Sequence, residues 1–163
     1  MIKKYLFVLL VSMVPIIELR GALPIAMTNN WLGEAIPTVP AYIMCVLGNM
    51  IPVPIIYFFA RKVLLWGADK KYIGKFFRFC LEKGEKGGKK LTANAAKKGG
   101  LLIALILFVG IPLPGTGAWT GTLAASFLDM GIKKTTLAVS LGVILAATII
   151  AVLMACGVHI LDM

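Results

Sequence analysis

The pattern of four long apolar blocks, only two of them unbroken, constrains this chain more than any other feature. The blocks are residues 5–28, 35–60, 101–128 and 135–160. A helix needs about 20 mostly apolar residues to cross a bilayer, so each block is long enough. The first is interrupted by Glu18-Leu19-Arg20 and the third by Pro112-Leu113-Pro114-Gly115-Thr116-Gly117. Lipid gives the backbone no hydrogen-bond partners, so irregular backbone at membrane depth survives only inside protein or along a wet cavity. Pro15, Pro24, Pro112 and Pro114 each lack an amide donor. Gly21, Gly115 and Gly117 permit tight turns. The two broken blocks therefore read as re-entrant or broken hairpins whose tips face each other. Four kinked but complete spans are the alternative.

Composition agrees with a membrane setting. Hydrophobic residues make up 60% of the 163 and charged residues 15%, against about 45–50% and about 25% in soluble domains. A single compact unit of this length cannot hide so much apolar surface from water.

The halves repeat in outline. Shifted by 96 positions, Gly21-Ala22 falls on Gly117-Ala118, Trp31-Leu32 on Phe127-Leu128, and Ala35 on Gly131. Broken segments in matching positions of two halves point to a transporter-like site. The expected fold is all-α and integral to the membrane. It is an inverted repeat of two units, residues 1–60 and 101–160, each a broken hairpin (5–28, 101–128) followed by a spanning helix (35–60, 135–160).

Residues 61–100 form the linker. Twelve of the 17 Lys and Arg lie between Arg61 and Lys98, against Asp69, Glu82 and Glu85. In a soluble chain the net charge of +10 would suggest nucleic acid. Here no recognition motif accompanies it, and a basic cluster beside spans marks the cytoplasmic side. Tyr72, Ile73, Phe76, Phe77, Cys80 and Leu81 recur at near-helical spacing, with Lys71, Lys75 and Arg78 on another face. That predicts a basic amphipathic helix on anionic lipid. Charge does not choose between the two topologies. Full spans put Lys133 and Lys134 outside, and re-entry puts Lys3 and Lys4 outside. The N-terminal apolar run lacks a small-x-small cleavage site and is read as retained.

Three stretches carry a family resemblance. Glu18-Leu19-Arg20-Gly21-Ala22-Leu23-Pro24, Gly48-Asn49-Met50-Ile51-Pro52-Val53-Pro54 and the run from Pro112 through Gly115-Thr116-Gly117-Ala118-Trp119-Thr120-Gly121 resemble the signature segments of the small multidrug export protein family. That family is a distant relative of the DedA/VTT superfamily. The resemblance implies the same inverted repeat and a transport role. Through the wider superfamily it implies movement of lipids such as polyprenyl phosphates.

Candidate chemistry concentrates at the breaks. Glu18 is the only acid inside an apolar block, and an ionisable residue at membrane depth is a functional-site hypothesis by default. It either binds a proton or cation that drives transport, or pairs with Arg20 to close the tip. Arg20 offers a planar fork of donors suited to carboxylate or phosphate. Pro112, Pro114, Gly115, Thr116, Gly117, Trp119 and Thr120 either line a site, with half-helix amides available to an anion, or pack closely. Gly21 and Pro24 shape the first tip. Asn49 either lines the site or glues helices together. Ser140, Gly142, Ala146 and Ala147 form a small-residue packing face.

Trp31 and Trp66 fit interfacial anchors. Cys45, Cys80 and Cys156 lack CxxC spacing and read as buried spectators. The lone His159 builds no metal site. No Walker A loop follows the glycines. No nucleophile–base pair or cofactor motif appears, so an enzyme is not expected. The reading is a small secondary exporter, proton-coupled through Glu18. A lipid translocase and a non-transporting membrane scaffold are the alternatives. So short a chain encloses little, so a homodimer is expected.

Overall fold

The computed structural model describes residues 2–28, 35–60, 100–113 and 115–157, with isolated positions 62, 66, 78, 82 and 86. Pro114, Trp31, Cys80, His159 and the expected amphipathic helix of the linker lie outside the described residues. Among the described residues every regular element is a helix.

Among the described residues six helices follow one another. α1 is Ile2–Met13 and α2 is Glu18–Met27. α3 runs through three consecutive stretches: Thr38–Met50, Pro52–Ile55 and a π-helical turn, Ile56–Ala60. α4 is Gly100–Gly110, α5 is Ala118–Phe127 and α6 is Ile132–Ala155. At 1.5 Å per residue, α1, α2, α4 and α5 are each roughly 15–18 Å long. None alone matches a hydrocarbon core of about 30 Å. Thr38–Phe59 and Ile132–Ala155, of 22 and 24 residues, are long and apolar enough to cross.

The breaks fall where the residues require them. Pro15 cannot donate to the carbonyl four residues back, and α1 ends at Met13. The chain turns through 14–17 and restarts at Glu18, whose backbone is left-handed (φ 48°). Between α4 and α5 the chain runs through Pro112 and through Gly115, which has φ 77°. Pro52 and Pro54 do not stop α3. The Ile56 amide reaches both Pro52 O and Val53 O, and the π turn follows.

α1 packs on α2, and both pack on α3. α4 packs on α5, and both pack on α6. The halves interlock through α2 on α6, α5 on the end of α3, and α3 on α6. α6 turns Thr135, Ala138, Val139, Gly142, Val143 and Ala146 inward, which includes part of the small-residue face read from sequence. Its outer face carries Leu137, Leu141, Ile144 and Val152, and that of α3 carries Val39, Ile43, Leu47, Ile51 and Ile55, all exposed. Long helices this apolar on the outside suit lipid rather than water. Cys45 is buried as expected, whereas Cys156 is exposed, because it lies just past the last turn of α6.

Candidate functional site

The site lies where the two breaks meet. Glu18, the first residue of α2, is 7% exposed. Its Oε1 accepts from the Trp119 backbone N–H at 3.2 Å, and the Ala118 amide is a second backbone donor to the carboxyl. These are among the first amides of α5, which have no partner within their own helix. A carboxylate there also meets the positive end of the helix dipole. The contact is tight: a Cβ at Gly117 would run into the Glu18 carboxyl group. Glycine at 117 is what lets the acid reach the helix start.

Arg20 grips the other side of the same break. Nη1 donates to Leu113 O, and Nη2 lies 2.9 Å from Thr116 Oγ1, 3.3 Å from Ile111 O and 3.4 Å from Val109 O. The carbonyls at the end of α4 lack helical partners and carry the negative end of its dipole. The Thr116 hydroxyl lies 2.9 Å from Leu113 O and 3.1 Å from Ile111 O, so it can donate its hydrogen bond to either carbonyl. One acid and one base of the first half thus cap the two helix ends of the second. The return contact is Trp119, whose indole Nε1–H donates to Met13 O at 3.2 Å, at the end of α1.

A small pocket sits behind these contacts, lined by Glu18, Leu19, Arg20, Asn49, Val109, Gly117, Ala118, Val143 and Ala146. Its free volume is about 10 Å³, close to the minimum for one water molecule. Of the residues singled out from sequence, Glu18, Arg20, Asn49 and Gly117 meet here, with Thr116 and Trp119 tied in by hydrogen bonds. Gly21, Pro24, Pro112, Gly115 and Thr120 are not among the lining residues. Pro24 is buried within α2. A Cβ at Gly21 would meet the Ile17 side chain at 2.6 Å. The Thr120 hydroxyl is 3.4 Å from Gly117 O, a local contact.

Sequence reading missed a second junction. Ser126 Oγ donates to Tyr57 O at 2.9 Å, and the Gly131 amide donates to Tyr57 Oη at 3.0 Å. Tyr42 Oη also donates across the halves, lying 3.1 Å from Ile144 O and from Thr148 Oγ1. Tyrosines near the ends of an apolar block are a weak signal, because interfacial anchoring explains them equally well.

A model of the family described as "Putative small multi-drug export protein" matches residues 18–149, most of the chain. That range begins at Glu18, just after the first break, and holds Arg20, the described part of the second break, Asn49 and all of α2 through α5. No curated protein and no solved structure matches the chain.

Proposed function

The chain belongs to the small multidrug export protein family, and from that premise we propose a proton-coupled secondary exporter whose two halves are locked and released at Glu18. The observation that carries the proposal is the buried Glu18 carboxyl of one half capping the first turn of α5 in the other. Protonation removes the charge that the helix end and Arg20 hold in place, so the cap weakens and the tips part. The left-handed backbone of Glu18 supports the same role. Such a conformation costs a non-glycine residue about 1–2 kcal/mol, and strain of this kind gathers at switches. The pocket is too small for a drug-sized solute, so substrate enters only once the tips have separated.

The second junction supports re-entry. If the third block crossed completely, α3 would end on the linker side and the turn before α6 would lie on the opposite side, about 30 Å away. Tyr57 instead bonds both Ser126 and Gly131. A chain that returns to the face it entered explains that contact, and the opposite orientation of the halves follows. Arg20 and Thr116 also bond each other across the halves, 96 positions apart, which equals the repeat offset. Equivalent positions that meet lie close to a pseudo-two-fold axis. In the same reading two copies pair in the membrane, and the basic linker rests on anionic lipid in the cytoplasm.

Protein in liposomes should show export of a cationic dye driven by a pH gradient, and Glu18→Gln should abolish it. Undiminished flux in Glu18→Gln removes Glu18 as the coupling group.

A further inference from the structure

The pocket behind the tips holds a polar atom that the tip contacts leave unused. Asn49, on α3, is 2% exposed, and its Oδ1 receives no hydrogen bond from the described residues. A buried acceptor left unpaired costs about 1–3 kcal/mol. Its pocket neighbours Leu19, Val109, Val143 and Ala146 are apolar and offer no side-chain donor. The free space of about 10 Å³ is at the lower limit for one water, which needs two to four polar partners. Asn49 and Glu18 both line that space. The Trp119 amide uses only part of the accepting capacity of the Glu18 carboxyl.

We propose that this pocket binds a single water molecule, which donates one hydrogen to Asn49 Oδ1 and the other to the Glu18 carboxyl. Asn49 is then a positioning residue, and the bridging water is the station through which Glu18 gains and loses its proton. That last role rests on the exporter reading above; the binding of water does not. A sodium ion suits the pocket less well. The carboxylate already faces the Arg20 guanidinium and the positive start of α5, and a further cation would leave uncompensated charge among apolar walls.

Solid-state NMR of the protein in bilayers tests the site directly. Magnetisation transfer from water should reach the Asn49 side-chain amide and the Glu18 carboxyl carbon. Ala146→Leu, which fills the pocket from α6, should reduce both signals to the background of dry core residues such as Leu105 and Ile150. Asn49→Leu should do the same at Glu18, so the test survives if either variant fails to fold. Absence of transfer in the unmodified protein, or undiminished transfer in both variants, overturns the proposal. So does an Asn49 carboxamide resonance that moves with sodium concentration. These readouts do not depend on whether flux follows Glu18, so the water site and the exporter reading can fail separately.

Discussion

Glu18 and Arg20 stand two residues apart, and each caps a different helix end on the far side of one break. On the proposed reading, opposite charges at opposite helix ends make the pair a latch between halves, in addition to the attraction between the two side chains themselves. Removing the carboxyl with Glu18→Ala should lower stability by about 1–2 kcal/mol, read as thermal unfolding in detergent. Gly117→Ala should cost about 1–3 kcal/mol, because its methyl group collides with the Glu18 carboxyl. In a Glu18→Ala background that penalty should shrink, since the colliding group is gone. Equal penalties in both backgrounds would show that the two residues do not press on one another. Arg20→Lys should behave like Arg20→Ala, because one ammonium group cannot reproduce the fork that meets Leu113, Thr116 and Ile111. Rescue of stability by lysine would contradict the fork geometry. Sequence made these residues conspicuous because charge at membrane depth is rare. It could not name their partners, which are backbone groups and one hydroxyl 89 to 101 positions away.

At the scale of helices, each long helix approaches the first short helix of its own half through a glycine. A Cβ at Gly48 would press on Leu9 O, and one at Gly142 would lie 2.9 Å from Ile106 O. Backbone cannot yield as a flexible side chain does, so Gly48→Ala and Gly142→Ala should each destabilise by about 1–3 kcal/mol. The losses should be similar, since both contacts set a glycine of a long helix against a backbone carbonyl of a short one. A neutral Gly142→Ala would show that α4 and α6 are not in close contact there. Gly142 was legible within the small-residue face of α6, because close helix packing in a membrane calls for small side chains, whereas nothing in the sequence marked Gly48 as a packing contact. The breaks were legible from proline chemistry, although α3 continued past Pro52 and Pro54 by widening into a π turn. Local sequence cannot decide between stopping and widening, because the outcome also depends on the packing of α3 against α1, α2 and α6.

At the scale of the whole molecule, the proposed architecture is two opposed hairpins between two spanning helices, locked tip to tip. Apolar length alone leaves complete spans and re-entrant turns equally possible, and charge puts two lysines on the wrong side in either case. The Tyr57 contacts with Ser126 and Gly131 support the proposed re-entry, and nothing in a single sequence announces a contact 69 to 74 positions long. Sidedness of the first hairpin is the most direct check. A cysteine placed at position 3, in protein lacking its native cysteines and inserted in one orientation, should react with a membrane-impermeant reagent from the face opposite the basic linker. Labelling of position 3 from the same face as the linker would contradict the account.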